Sequence, residues 1–227
     1  MIHARTLGLV AIGLVVSTPS LVGQDQPRYR DFQLGGNVSS VSALTGVAAT
    51  EAKTIHVRPA LMQELEWRRG YSSAAHTDPV QQIVFSFYDD QLTKMVVDYD
   101  HDRTAGLTGA DMIDAISAVY GAPVKPTIKS AGAGTSQVEQ ESGNPLARWG
   151  DVDYSVVLYR SSYASGFRII VISTRLDALA RRADASAIRL DAREAPQREI
   201  ARQKQEVEDT RVSQEQARLA NKAAFRP

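Results

Sequence analysis

Cysteine is absent from the 227 residues of this chain. Its absence excludes disulfides, thiol catalysis, thiolate metal sites and a lipid-modified N-terminal cysteine. The 26 basic and 26 acidic side chains cancel to a formal net charge of zero. Proteins that bind nucleic acids or anionic membranes through bulk charge are typically far from neutral. We therefore expect neither nucleic acid nor an anionic membrane surface as the partner.

Common catalytic signatures are also missing. The sequence contains no G-x-S-x-G, P-loop, G-x-G-x-x-G or H-E-x-x-H motif. After the first few residues the only histidines are His56, His76 and His101. These absences predict a non-enzymatic protein without a cofactor, and an enzyme of unrecognised type is the alternative.

Long apolar runs are missing except near the N-terminus. Residues 7–16 are uninterrupted small and apolar residues, preceded by His3 and Arg5 and followed by Pro19 and Ser20. This run is too short to span a bilayer and is typical of a Sec signal peptide. We predict a signal peptide over residues 1–23 and a secreted or periplasmic mature protein that is not an integral membrane protein. An uncleaved anchor is the alternative.

The most informative stretch covers residues 80–123. Residues 80–98 alternate β-branched and aromatic residues on both sides of Asp89-Asp90, which predicts a β-hairpin. A helix follows, with Thr108 and Asp111 spaced as a capping box and Gly121 at its end. Its predicted apolar stripe consists of Met112, Ala115, Ile116, Val119 and Tyr120.

Shorter patterns predict the remaining elements. A helix is predicted from Asn37, with Val38, Val41, Ala43 and Leu44 facing inward. The predicted strands are residues 54–58, 61–68, 147–149, 154–159 and 167–173, the last buried on both faces. Residues 126–145 are rich in glycine, serine and alanine and predict a flexible loop.

A helical pattern begins at Thr174, which is spaced with Asp177 as another capping pair. An apolar stripe that predicts docking on the sheet is formed by Leu176, Leu179, Ala180, Ala183, Ala187 and Leu190. Pro196 is predicted to start a new helix. Beyond it the chain is densely charged, with Ile200, Val207, Val212 and Leu219 too irregularly spaced for a heptad seam. This spacing favours a mobile or weakly helical tail over a coiled coil.

The predicted fold class is α+β. The order helix, tryptophan-bearing strand and paired strands occurs twice, in residues 32–98 and 106–173, which suggests a duplicated unit. We expect a domain over residues 24–175 with an antiparallel sheet and two helices across one face. Residues 176–227 form a charged helical C-terminal extension.

Residues 106–123, GLTGADMIDAISAVYGAP, resemble the helix entry of the SmpA/OmlA family of small outer-membrane-assembly lipoproteins. Residues 34–46, LGGNVSSVSALTG, are a second, weaker match. In that family and in the related β-lactamase-inhibitor-protein fold, such helices pack on one face of an antiparallel sheet. The resemblance implies a protein-binding, non-catalytic role. The chain departs from the family in its longer helix and in lacking the lipid-anchoring cysteine.

Charged side chains alternate on the predicted strand of residues 61–68. Glu64, Glu66 and Arg68 share one face, and His56 and Arg58 lie on the neighbouring strand. We predict that these five residues bind a partner. A salt-linked face exposed to solvent and a pair of catalytic carboxylates are the alternatives. In the tail, Phe225 is the aromatic candidate for binding.

Asp98, Asp100 and Asp102 have the alternating spacing of a calcium loop. Arg103 replaces the required glycine and Gly109 the bidentate glutamate. We therefore predict no metal site, with the three aspartates as weak candidates. A polar turn near the N-terminus of the following helix is the favoured interpretation.

The function expected from these observations is binding of another envelope or secreted protein, through an open sheet face or through the tail. A structural spacer is the alternative to binding, and the oligomeric state stays open.

Overall fold

The computed structural model describes residues 28–70, 78–124, 142, 144–160, 166–224 and 226. The predicted signal peptide, Phe225 and most of the predicted loop 126–145 lie outside the described residues. The helices are α1 (Val38–Thr45), α2 (Gly109–Tyr120) and α3 (Thr174–Ala224). The strands are β1 (Arg28–Tyr29), β2 (Phe32–Gln33), β3 (Lys53–His56), β4 (Met62–Arg68), β5 (Val80–Tyr88), β6 (Gln91–Tyr99), β7 (Asn144–Gly150), β8 (Tyr154–Arg160) and β9 (Phe167–Ser173).

Seven of these strands form one antiparallel sheet in the order β3-β4-β5-β6-β9-β8-β7. The strands β1 and β2 form a separate two-stranded sheet. The α+β class and the antiparallel sheet are thus confirmed, as is the hairpin, which turns at Asp89 and Asp90 in the left-handed conformation. Two predicted boundaries were wrong. Arg58 lies beyond the end of β3, and β7 begins at Asn144, inside the predicted loop.

The helices α1 and α2 cover one face of the sheet, which we call the core face. Its buried residues come from alternating strand positions such as Phe85, Met95 and Val171, and they cluster with Val41 of α1 and Ile116 of α2. Alternation places Val96, Val157 and Ile170 on the other face. The helix α3 packs against β5, β6, β8 and β9 on this second face. β9 is therefore buried on both faces, as predicted.

Both short helices begin where the sequence predicts. Asn37 caps α1 by accepting from the N–H of Ser40 at 2.8 Å, and Thr108 and Asp111 form a complete capping box. The predicted stripe of α2 was partly wrong, because Ala115 and Val119 are exposed. In α1, Ala43 and Leu44 are exposed too. Each of the two helices therefore buries a narrower strip than its apolar pattern suggests.

The helix α3 runs without interruption from Thr174 to Ala224, with Pro196 inside it. The predictions of a new helix at Pro196 and of a weakly helical tail were therefore wrong. The N-terminal cap is also shifted by one residue, because the Ser173 hydroxyl accepts from the N–H of Leu176 at 3.5 Å. The docking stripe is confirmed at Leu176, Ala180, Ala183 and Ala187, which are buried. Small side chains let the helix backbone approach the sheet closely.

The strand register gives the predicted duplication a two-fold form. The units α1-β4-β5-β6 and α2-β7-β8-β9 place β6 and β9 side by side at the centre of the sheet. One row across the core face pairs Trp67, Ile83, Val97, Ile169, Leu158 and Ala147, and the next pairs Leu65, Phe85, Met95, Val171, Val156 and Trp149. Rotation by 180° about the midpoint between Val96 and Ile170 exchanges the two rows. Trp67 and Trp149 are therefore equivalent positions.

Candidate partner-binding surfaces

The predicted open sheet face is partly occupied by α3. The His56 imidazole Nε2 lies 3.0 Å from Asp184 Oδ1 of α3, and the Arg58 guanidinium donates to Glu194 Oε2 at 2.9 Å. Both basic residues thus hold the helix at the β3 edge of the sheet. These contacts occupy part of the predicted binding face, although 68% of the Arg58 side chain stays exposed. Binding of a partner by this face stays a prediction.

The acidic and basic residues of β4 lie on the same face, but at different places. Glu64 accepts a hydrogen bond from the Ser86 hydroxyl at 3.3 Å. Farther along the strand, Glu66 and Arg68 form an ion pair with each other, with 45% and 71% of their side chains exposed. An exposed pair of this kind contributes little to stability. The five predicted binding residues therefore split into an end engaged with α3 and an exposed end.

A groove lies between the chain at β3 and the docked part of α3. Its volume is about 230 Å³, and Ile55, Val57, Ala187 and Leu190 supply the apolar part of its lining. Typical small-molecule pockets are larger, about 300–1,000 Å³. Val57 is largely exposed beside it.

Beyond Glu194, every described residue of α3 up to Ala224 is exposed. We call residues 195–224 the arm. At 1.5 Å per residue, these 30 residues extend about 45 Å from the domain. Ion pairs one turn apart run along the arm, from Arg202 to Glu199, Arg211 to Glu208 and Arg218 to Glu215. Such pairs stabilise isolated helices by about 0.2–0.5 kcal/mol each.

The arm carries four large exposed apolar side chains. Ile200 and Val207 are seven residues apart and lie on one strip of the helix, as Val212 and Leu219 do on another. The second pair lies twelve residues after the first, which rotates the second strip by about 120° from the first. The arm therefore presents two short apolar strips on different sides rather than one continuous seam.

The arm leaves the domain at a proline. Pro196 has no N–H to bond the carbonyl of residue 192, which weakens the helix at this point. The Arg198 guanidinium spans the gap, donating to the Asp191 carbonyl at 3.2 Å and to Glu194 Oε2 at 3.3 Å. Since Glu194 also binds Arg58, one cluster joins the arm to the edge of the sheet.

The three aspartates of the calcium-like spacing do not converge on a metal site. Asp98 accepts two hydrogen bonds from Arg168, at 2.6 and 3.0 Å, and Asp100 pairs with Arg69. Burial opposes ionisation of Asp100, but the N–H of Arg103 and the Arg69 guanidinium outweigh it and lower the pKa. Within the described ranges, no group of three His, Cys, Asp or Glu side chains is placed to hold a metal ion. The segment is a polar turn that precedes α2.

The sequence patterns also missed the pair of Arg30 with Asp78. Arg30 donates two hydrogen bonds of 2.7 Å to Asp78, which ties the turn between β1 and β2 to the start of β5. Nearby, the phenol oxygens of Tyr29 and Tyr99 are 3.3 Å apart. Burial raises the pKa of both phenols, so both stay neutral near pH 7. Residues 48 positions apart gave no local signal for this contact.

The Arg30–Asp78 pair is expected to make the free energy of unfolding depend on pH in the acid range. The hydrogen bonds from Arg30 lower the pKa of Asp78 below its usual value. A lowered folded-state pKa gives stability that is present above the unfolded value and is lost as the pH falls through the folded value. We expect Asp78→Asn to reduce the slope of unfolding free energy against pH in the acid range. Urea titrations from neutral pH downward measure it, and an unchanged slope in Asp78→Asn would contradict the contribution of this pair.

The described helices include none that is long and apolar enough to cross a membrane. Comparison of the chain with protein-family models, with curated proteins and with solved structures found no match.

Proposed function

We propose that the protein is an exported, non-enzymatic binding module and that its arm is the element that contacts another envelope or secreted protein. The observation that carries this proposal is the arm itself, a helix that extends about 45 Å with every side chain exposed. The arm therefore buries none of its side chains against its own domain. Its two apolar strips match the spacing by which helices dock into grooves of partner proteins.

The exposed sheet face is less favoured as the main site. His56 and Arg58 are engaged with α3. Their removal would release the helix rather than a partner. The arm, in contrast, is exposed at every residue from 195 to 224.

A structural spacer is the second candidate function. The ion pairs along the arm support it, because a helix that is polar on nearly all sides and rich in such pairs is typical of segments that bridge domains through solvent. A spacer needs length and stiffness, whereas a binding element needs the apolar strips. This difference separates the two functions experimentally.

The test compares three forms of the protein in cross-linking from the envelope and secreted fractions. The first is the full chain, the second ends at Glu194, and the third has the arm replaced by an equally long EAAAK-repeat helix. If the arm binds, the full chain alone should give a cross-linked partner. If the arm is a spacer, the EAAAK form should behave like the full chain.

A matched pair of double variants locates the contact. Ile200→Ser with Val207→Ser removes one strip, and Val212→Ser with Leu219→Ser removes the other. Surface changes of this kind alter stability by under about 0.5 kcal/mol, so lost cross-linking would be local. Unchanged cross-linking of the form that ends at Glu194, or turnover of a substrate by the purified protein, would contradict the proposal.

A further inference from the structure

The outer edge of β4 is open over part of its length. β3 pairs with β4 at Met62, Gln63 and Glu64, and none of the described strands pairs with the remaining edge, residues 65–68. The N–H of Arg69 donates to the Gln81 carbonyl on β5 at 3.0 Å. In the alternating antiparallel pattern, the backbone groups of Glu66 and Arg68 therefore point outward, away from β5.

The two-fold relation allows the open edge of β4 to be compared with the equivalent edge of β7. Glu66 is equivalent to Arg148. Both lie on the row that contains the two-fold axis, and the rotation exchanges its half Glu66, Val84 and Val96 with its half Arg148, Val157 and Ile170. At Arg148 the edge is closed by extended chain. The Val124 N–H donates to the Arg148 carbonyl at 2.7 Å in an antiparallel bridge. The corresponding groups of Glu66 face no such segment in the described part of the chain.

A local difference between the repeats opens this edge. Continuing the pairing of Lys53 with Glu64 by two residues would place Glu51 opposite Glu66. Residues Ala49–Glu51 instead form a 3₁₀ turn, which takes the chain out of register with β4.

The equivalent tryptophans differ in the same way. The Trp149 indole is fully buried and donates to the Ser117 hydroxyl of α2 at 3.1 Å. Ser117 lies nine residues after its N-cap, and the residue nine after the N-cap of α1 is Gly46, where that helix ends. The shorter α1 thus leaves Trp67 partly exposed, next to the open edge.

We infer that the β4 edge at residues 65–68 binds an extended segment of a partner polypeptide by strand addition. The segment lies antiparallel to β4, forms a backbone bridge with Glu66 as Val124 does with Arg148, and places an apolar side chain on Trp67. At about 3.3 Å per residue, the gap holds three or four residues. This site is separate from the arm and does not depend on the function proposed for it.

The probe is a peptide with the sequence of residues 121–127, GAPVKPT, blocked at both ends. Titrated into the purified protein, it should shift the backbone amides of Glu66 and Arg68 and the indole N–H of Trp67 in nuclear magnetic resonance spectra, with a dissociation constant of about 1 mM. The buried Trp149 indole is the internal reference. The same peptide N-methylated at its valine lacks the donor and should bind at least about tenfold more weakly.

Two variants test the protein side. Glu66→Pro removes the outward N–H but leaves the bonds of Leu65 and Trp67 to β5, so it should lose binding at least about tenfold. Glu66→Ala keeps the N–H and should bind as the original does. Shifts absent at about 5 mM peptide, shifts located away from β4, or equal binding of the N-methylated peptide would each overturn the inference. The comparison of the two peptides tests the inference even if Glu66→Pro does not fold.

Discussion

Replacing Trp149 with alanine is expected to destabilise the protein by about 3–5 kcal/mol. The ring is fully buried among residues of both repeats, and its indole N–H is bonded to Ser117. Truncation leaves a cavity under α2 and an unpaired hydroxyl, and both effects reduce stability. Chemical denaturation with urea, followed by circular dichroism, measures the loss.

Trp67→Ala is the matched comparison, because the two tryptophans occupy equivalent positions in the repeats. Trp67 is only partly buried, so its removal creates less cavity. We expect its cost to be about 1–2 kcal/mol smaller than that of Trp149→Ala. Equal losses for the two variants would contradict the description of α1 as too short to cover Trp67.

Gly150→Ala is expected to cost about 3 kcal/mol or more. Gly150 ends β7 with a φ of 111°, a conformation that L-residues rarely adopt. A Cβ atom there would lie 2.3 Å from the Tyr154 carbonyl oxygen. This clash involves backbone on both sides of the β7–β8 turn, so no side-chain rotation relieves it.

Gly46→Ala is the control for conformation alone. Gly46 ends α1 with a φ of 73°, and a Cβ there would meet nothing within 4 Å. Its expected cost is about 1 kcal/mol, the usual penalty of a left-handed residue. Thermal unfolding of both variants gives the comparison. Equal costs would mean that the Gly150 turn relaxes to accept the side chain.

Local chemistry was sufficient to predict the main elements. The capping residues Asn37 and Thr108, the hairpin at Asp89 and Asp90, and the apolar run of β9 act within a few residues of each other, so the sequence alone determined them. The same holds for the duplicated order of helix and strands. Periodicity and caps need no knowledge of distant chain.

The candidate sites depended on contacts that no local pattern contains. His56 and Asp184 are 128 positions apart, and their contact closes one end of the face predicted to be open. Asp98 and Arg168 are 70 positions apart, and the guanidinium of Arg168 occupies the Asp98 carboxylate that the calcium-like spacing offered as a ligand. A charged side chain looks the same in sequence whether it faces solvent, a partner or its own helix.

The tertiary structure alone decided three further features of this protein. The helix α3 continues past Pro196, where the Arg198 guanidinium bonds the Asp191 carbonyl and the Glu194 carboxylate, which Arg58 holds at the edge of the sheet. The tertiary structure buried Trp149 but left Trp67 partly exposed, because α1 ends before it can cover Trp67. It left β4 open beside Glu66, because a 3₁₀ turn replaces the pairing residue. Each feature arises from long-range packing, which fixes the surroundings of a residue independently of its neighbours in sequence.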